Sequence, residues 1–566
     1  RRLWHPFVNT AFQIMCCAYK MSSSDIFYFS AEIGLSSSIP TYSGGLGVLA
    51  GDHVKAAADT KIPVVGMTLL YRHGQGIQRI DKEGDQRERW NSFNPNGILT
   101  NEDCDFEIEL GSEKAIVQVW SKTVSGVTGH STKVYFLDVG HERNKSSIRE
   151  LGNRLYGGGT DVRIRQEYIL GIGGVIAIKK LDLWPIRGIH LNEGHTAFAA
   201  LGLMDEGLNF EEVKQKLHFT THTPVPAGHD VFEFSEAEKI LGKQHSSFCK
   251  KFASNGKLSM SHLAINVSQT CNAVSKLNAK VASEMFPDKK ISPITNGVHH
   301  LTWTSAPLAK LYDREIPSWR ENPSELKKVY DIDDEKIFQS HLIAKKSLLR
   351  YANSMSGRGL SSDLLTICFA RRMVEYKRPN LILKDIERLT KICANKVQFV
   401  FAGYAHPNNT AGKKIIKELN QATELFGESI NFVYLENYSM WLGSKLVSGA
   451  DIWLNNPIRP LEACGTSGMK AAMNGGLNLS ISDGWWDEEA RDGENGWIIG
   501  DKDGSSSDEE DAESIYDKLE NEIIPLWENN REGWIRMMKN AIATSSVMTA
   551  ERMVKEYEEY YKLFSD

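Results

Sequence analysis

The sequence predicts an α/β protein built on parallel sheets, and three observations carry that expectation. In the second half, five short apolar runs (residues 364–370, 397–402, 430–435, 451–454 and 477–481) are separated by helix-compatible sequence. This is the alternation of a parallel βαβ sheet, whose ligands sit at the carboxyl ends of the strands. Near the start of the chain a strand of buried type, DIFYFSA at 25–31, leads through a polar connection into the glycine turn YSGGLGVLAG and the helical DHVKAAADT. The third observation is size, since 566 residues with 41% hydrophobic and 24% charged side chains suffice for two large α/β lobes.

Composition also bounds the function. A net charge of −6 and a pI near 6.3 give no electrostatic basis for binding nucleic acid or an anionic membrane. No apolar run reaches the roughly 18 residues of a membrane span. The eight cysteines are scattered, with no C-x-x-C and only Cys16 and Cys17 adjacent, so neither a disulfide framework nor a zinc knuckle is indicated. A reducing cytoplasm is the expected setting. The opening RRLWHPFVNTAFQIMCC makes a poor signal peptide because His5, Pro6, Asn9 and Gln13 interrupt it. It lacks an initiator methionine, so the sequence is a fragment or its native start is Met15 or Met21.

In chain order, Gly45, Gly47 and Ala50 match a dinucleotide fingerprint by spacing only. About a dozen residues separate them from their strand, and the next strand, 62–71, runs on into Arg72 and His73 instead of an acidic residue. A glycine turn opening a helix remains, which is an anion-binding geometry. Segments 104–110, 115–120 and 133–139 read as antiparallel strands inserted on the first lobe. The helical period of 161–181 contains Gly-Ile-Gly-Gly, which suits close helix packing better than a second phosphate loop. Two histidine-rich loops follow, HLNEGHT at 190–196 and TTHTPVPAGHD at 220–230. Their H-x-x-E-x-H spacing puts no set of ligands on one helix face, so His190, Glu193, His195, His222 and His229 are expected to line a polar pocket and no metal is expected. The Asn-Gly turn within 291–303 ends the first lobe, which divides the chain into 1–305 and 306–566. Beyond the second sheet, the acidic, serine-bearing stretch 501–513 reads as a mobile loop without chemistry. Helices are expected at 515–529 and 532–543, with a last amphipathic helix at 548–564 packing back across the lobes.

The chemistry concentrates in LEACGTSGMKAAMNGG at 461–476. A strand precedes it and a helix follows, so the small residues 464–468 form a strand-to-helix turn whose free amides suit a phosphate. Thr466, Lys470 and Asn474 share one helix face, which places the Lys470 amine beside that pocket, as a Schiff base to a pyridoxal phosphate requires. An isolated helix start with a surface lysine would look the same. At the end of the first strand of the second sheet stands RRMVEYKRP, with four cations in eight residues. They suit a free phosphate held between lobes, and taken alone they fit a solvated basic loop equally well.

Together these segments resemble the α-glucan phosphorylases, pyridoxal-phosphate members of the two-lobed glycosyltransferase fold called GT-B. The likeness runs from about Ile26 to Phe564 through YFSAEIGL, SGGLG, RIRQEYILGIGG, HLNEGH, THTPVPAGHD, TNGVHHLTW, RRMVEYKRP, FAGYAHP, LEACGTSGMKAAMNG and ERMVKEYEEYY. The wording SGMKAAMNG and the chain's length resemble the short bacterial and archaeal branch, without the regulatory N-terminal segment of the animal enzymes.

The resemblance implies that Lys470 carries pyridoxal 5′-phosphate and that Arg372 and Lys377 bind substrate phosphate. Gly44 and Gly45 match the glycine loop over the phosphates, and Gly465, Thr466 and Ser467, with Arg371, match the cofactor-phosphate cradle. Tyr438 matches an aromatic beside the cofactor. Tyr376, Glu462, Cys464 and Asn272 correspond to sugar contacts and His222 to the histidine near the glucosyl ring. Three positions depart from the family pattern. Cys464 replaces serine, Arg371 replaces lysine, and Ser439 stands where the long enzymes have a basic residue.

The implied partners are an α-1,4-glucan (glycogen, starch or maltodextrin) and inorganic phosphate, with a homo-oligomer left possible. The implied reaction is retaining phosphorolysis. A retaining hydrolase would need two carboxylates about 5 Å apart, and no such pair stands out. In the family the substrate phosphate donates the proton and then attacks, the cofactor phosphate lies against it, and the lysine linkage is an anchor rather than an electron sink. Two other readings remain: a nucleotide-sugar glucan synthase of the same fold, and a non-catalytic glucan-binding protein. Against the synthase, Lys470 stands where many such enzymes place a glutamate eight residues after the first, and Tyr42-Ser43 where they place a lysine before the glycine loop. Against the binding protein, a module without chemistry needs neither Lys470 nor the Arg372/Lys377 pair.

Overall fold

Two sheets carry the chain in the computed structural model, which describes residues 25–225 and 228–564. The N-terminal Met15, Met21, Cys16 and Cys17 lie outside the described residues. The first sheet has nine strands in the spatial order Ser292–Pro293, Thr270–Ala273, Leu217–Thr221, Gly188–Asn192, Ile26–Ser30, Val64–Leu69, Ser131–Asp138, Glu113–Ser125 and Thr100–Leu110. Its central strand Ile26–Ser30 pairs in parallel with both neighbours, Ile26 lying opposite Val64 on one side and Gly188 on the other. The three strands expected as an insertion instead extend this sheet. Ser131–Asp138 is parallel to Val64–Leu69, and only the last two pairings are antiparallel.

The second sheet is wholly parallel, with strands Phe432–Leu435, Val397–Tyr404, Leu365–Arg372, Ile452–Asn455, Leu477–Ile481 and Gly496–Ile499 side by side. Numbered along the chain its order is 3-2-1-4-5-6, a doubly wound sheet whose direction reverses between Leu365–Arg372 and Ile452–Asn455. Five strands are those read from the sequence. The sixth, GWII, is too short to stand out.

Strands buried on both faces explain the near-continuous apolar runs. Phe27, Phe29, Val65 and Met67 enter one core of the first sheet, while Ile26, Tyr28 and Val64 enter the opposite one. A third core surrounds the second sheet. The last helix, Ala550–Tyr561, packs on helix Gly45–Thr60 and sends Met553, Val554, Tyr557 and Tyr561 into the first sheet's core, as its amphipathic pattern predicts. A hairpin not foreseen in the sequence, Ile77–Ile80 with Gln86–Arg89, reaches the second sheet. There Gln78 donates to Gly403 O (2.8 Å) and Gln86 to Ala405 O (2.7 Å).

Gly47 and Gly51 serve packing, since a Cβ on Gly51 would lie 1.9 Å from Gly34 O and one on Gly47 2.5 Å from Glu32 Oε2. In the Gly-Ile-Gly-Gly stretch, a Cβ on Gly171 would meet the Phe198–Ala199 backbone, so helix packing is the role seen there too.

The acidic stretch 501–513 corrects the loop expectation. From Asp508 it is helix Asp508–Lys518, started by a capping box between Ser507 and Glu510. Its acidic first turn favours the helix dipole and binds cations of the basic segment, Arg378 pairing with Asp508 and Asp511, both at 2.7 Å. The six described cysteines are free. Among the described residues no helix is long and apolar enough to cross a membrane.

Candidate active site

The loops at the carboxyl ends of the two strands flanking the reversal meet. Strand Leu365–Arg372 ends in Arg371 and Arg372 and turns through Glu375–Lys377, while strand Ile452–Asn455 leads through 456–466 into helix Ser467–Met473. The two loops are tied where Ile458 N–H donates to Tyr376 O at 2.7 Å.

Glu462 is the centre of this meeting. Its Oε2 lies 2.7 Å from Arg371 Nη2 and 3.3 Å from Lys377 Nζ. Burial acts to raise its pKa, but Arg371 and Lys377 outweigh that and hold it below the usual carboxylate value. Burial, then the adjacent Arg371, push the Lys377 amine down to about 8. Arg378, the fourth cation of the segment, is turned away onto Asn456 O, Pro457 O and the acidic helix. Arg372 is exposed, and its side chain makes no ion pair or hydrogen bond among the described residues. Against its guanidinium lies Gly44, where a Cβ would sit 2.5 Å from Nη2. A side chain at this position would push the guanidinium aside, so the glycine leaves the second sheet's cation close against the first sheet's turn.

Behind Gly44 stands Glu32, which the sequence reading did not single out although it lies in YFSAEIGL. Its Oε2 accepts from Ser43 N (2.6 Å) and Gly44 N (3.2 Å), and Tyr156 OH donates to Oε1 at 2.8 Å. The anion foreseen at this helix start is therefore, for these two amides, an internal carboxylate. Gly45 faces open space, with nothing within 4 Å of a Cβ there. Tyr42, just before the turn, accepts from Met440 N (3.2 Å) and so joins the glycine turn to the helix after Tyr438. Burial pushes the Tyr438 phenol up to about 12. Ser439 caps that helix, accepting from Leu442 N at 3.3 Å.

The turn 464–468 is shaped by Gly465 at φ 75°, a left-handed conformation that suits glycine. Glu462 N donates to Asp483 Oδ2 (2.9 Å) and Gly484 N to Oδ1 (2.8 Å), so Asp483, also not foreseen, holds this loop. Cys464 is buried, its carbonyl accepting from Trp485 N, and burial raises its thiol pKa. Ser467 Oγ accepts from Trp453 Nε1 at 3.1 Å, and Thr466 is the N-cap. Lys470 is buried, and its Nζ lies 3.9 Å from the Trp303 ring centroid with no hydrogen bond among the described residues. Trp303 closes the segment TNGVHHLTW, so the stretch read as a boundary supplies a wall of the lysine's site. Burial pushes the Lys470 amine down to about 8.

The histidine loops lie at the carboxyl end of the first sheet. His222 Nε2 is 2.6 Å from Asn192 Oδ1, and the His222 backbone N–H donates to Glu193 Oε2 at 2.8 Å. Burial lowers the His222 pKa to about 4, leaving a neutral imidazole at pH 7. Asn272 is placed differently. Its amide bonds within the first sheet and to the last helix, with His218 Nε2 at 2.9 Å, Thr220 Oγ1 at 2.5 Å and Tyr557 OH at 3.0 Å. Asp59, His299 and His300 bring three donor atoms within 4.8 Å of one another. They form a bonded cluster, with His299 on Asp59 and Thr302 and His300 on Arg320 O.

Known proteins resemble this chain along most of its length. A family model described as carbohydrate phosphorylase matches residues 243–488. Maltodextrin phosphorylase of Thermococcus litoralis is 40% identical, over 95% of this chain and 70% of its own length. Glycogen phosphorylase of Aquifex aeolicus is 36% identical over 94% of this chain and 85% of its own length. Glycogen phosphorylase of Mycobacterium tuberculosis is 34% identical over 95% and 70%.

Proposed function

Because the chain belongs to the carbohydrate phosphorylase family, we propose that it is an α-glucan phosphorylase of GT-B architecture. It transfers terminal α-1,4-linked glucosyl units, with retention and reversibly, to inorganic phosphate to give α-D-glucose 1-phosphate. The lobes are 1–305 and 306–566, with the last helix returning to the first.

The observation that carries the reading is the convergence of Arg371, Lys377 and Glu462, with Arg372 against Gly44, at the mouth of the turn whose helix carries a buried lysine with no hydrogen bond to its amine among the described residues. Pyridoxal 5′-phosphate fits these residues on three counts. Among the described residues the Lys470 amine has no competing hydrogen bond, Arg371 Nη1 is a buried donor without a partner, and the space at Gly45 is open. Lys470 would hold the aldehyde carbon, with Arg371, Tyr438 and the amides of Gly465, Thr466 and Ser467 around the rest. What the cofactor would supply when bound is its 5′-phosphate, a monoester that adds a second phosphate group to the site.

Arg372 and Lys377 then bind and orient inorganic phosphate. A free guanidinium offers two parallel donors and the ammonium a point charge, so together they offset the repulsion between two phosphates at close range. Glu462, anchored through Asp483, is the acceptor for sugar hydroxyls, with Tyr376 and Cys464 as further sugar contacts. Asn272, fully buried with its amide taken up by His218, Thr220 and Tyr557, holds the sheet to the last helix instead. Neutral His222, held by Asn192 and Glu193, presents an uncharged ring to the glucosyl unit. The glycosidic oxygen takes its proton from the bound phosphate, and the same phosphate then attacks the oxocarbenium-like centre from the face the leaving chain vacated.

The deciding experiment supplies a maltooligosaccharide acceptor with α-glucose 1-phosphate, ADP-glucose or UDP-glucose in parallel. Chain growth with phosphate release is expected from glucose 1-phosphate alone. Faster growth from a nucleotide sugar would favour the synthase, and no growth from any donor would favour a binding protein.

A further inference from the structure

Tyr156 touches the glycine turn, the histidine loops and the second sheet, and the reaction above gives it no part. Its φ of 55° is left-handed, a conformation that a residue with a side chain adopts at a cost and keeps only where its surroundings hold it. Three contacts hold it. The phenol donates to Glu32 Oε1 at 2.8 Å, the carbonyl accepts from His406 Nε2 at 3.1 Å just beyond strand Val397–Tyr404, and the Arg163 guanidinium stands 4.9 Å from the ring centroid. Arg163 in turn pairs with Asp230, at the end of the loop that carries His222. Burial, then the adjacent Glu32, push the phenol well above its usual pKa, so it remains a donor at neutral pH.

Glu32 is fully buried and is held at both ends, one oxygen on the phenol and the other on the Ser43 and Gly44 amides. Gly44 is also the residue that abuts the Arg372 guanidinium. Since the Arg372 side chain has no ion pair or hydrogen bond of its own among the described residues, its placement depends on what packs against it. We propose that Tyr156 is a positioning residue for the phosphate site, fixing the glycine turn against Arg372 through Glu32 and tying that turn to the second sheet through its own carbonyl. The phosphate part of this rests on the phosphorylase reading. The link from the phenol to the turn does not.

Tyr156→Phe removes the phenolic oxygen and keeps the ring beneath Arg163. The KM for phosphate should rise about threefold to tenfold, the scale of one hydrogen bond, while the KM for maltodextrin stays within about twofold. A merely structural residue would move both together. Beside Glu32→Ala the same substitution should add nothing to the KM for phosphate, because the group it acts through is gone. Glu32→Gln, whose one carbonyl oxygen can accept from both amides, should lie nearer the unaltered enzyme than Glu32→Ala does.

An unchanged KM for phosphate in Tyr156→Phe, equal rises in both KM values, the full effect retained beside Glu32→Ala, or a Glu32→Gln no better than Glu32→Ala overturns the proposal. Absence of phosphorolysis in the unaltered protein counts against the reaction instead. The link is then read by deuterium exchange of the peptide covering residues 40–48, where faster exchange at Ser43 and Gly44 in Tyr156→Phe supports it and unchanged exchange overturns it.

Discussion

Glu462→Gln tests the charge cluster most sharply, because it removes one negative charge and little volume. Glu462 Oε2 is 3.3 Å from Lys377 Nζ, an attraction of about 5 kcal/mol at an effective dielectric of about 20. Arg371 shares that oxygen at 2.7 Å, and water enters once the charge is gone. The expected shift is therefore the smaller one usual for a single opposite charge at this range, about 1 to 3 units. Its sign is set by what remains around the amine. Burial, Arg371 and Arg372 all lower the Lys377 pKa and Glu462 raises it, so the midpoint falls from about 8 to between about 5 and 7. A lysine holds phosphate as a cation below its pKa and loses that hold above it. At neutral pH the variant loses one charged contact of about 1.5–3 kcal/mol, which is about tenfold to a hundredfold in the KM for phosphate.

The assay is the KM for phosphate from about pH 6 to 9 at saturating maltodextrin. Phosphate's own titration cancels in the ratio of variant to unaltered enzyme, and any lost glucan affinity does not move the midpoint. A midpoint that stays near 8 or rises would refute the reasoning.

Arg372→Ala, removing the one cation of the segment without a protein partner among the described residues, should cut phosphorolysis by about two orders of magnitude or more with folding unchanged. Undiminished dependence on phosphate would make Arg372 a solvated side chain. Borohydride reduction and peptide mapping should place the pyridoxyl group on Lys470, and Lys377 carrying it would sink the assignment. Lys345→Met should destabilise the second sheet by about 3–5 kcal/mol in denaturant titration, since it leaves buried Asp451, 2.6 Å from Lys345 Nζ, without its cation. Burial raises the Asp451 pKa, but Lys345 and His341 outweigh it and hold it low. The stability this pair contributes is thus present above the unfolded carboxylate pKa of about 4 and lost as pH falls through the lower folded value, a loss the variant should not show.

What could be read without coordinates was whatever local chemistry specifies. Period and length marked five strands of the second sheet, and small residues with a lysine in register marked the turn at 464–470. A hydrophobic pattern also placed the last helix, because an amphipathic face reports that it is buried without reporting against what. Local composition misled at 501–513. Acidic residues read as a solvated loop until the capping box and the partners Arg378, Lys384 and Arg388 are seen.

Tertiary structure alone decided which distant side chains share a charge. Arg371, Arg372, Lys377 and Arg378 are equivalent in sequence, yet one pair converges on Glu462, one is left free against Gly44, and one is spent on an acidic helix. Glu32, Tyr156, Trp303 and Asp483 carry no signature in isolation, since their roles depend on contacts to segments far along the chain. Sequence by itself determined the elements and the chemical inventory, because those follow from short-range sterics and side-chain type. The tertiary fold determined pairing, burial and charge state, because electrostatic and hydrogen-bond energies depend on distances that chain order does not encode.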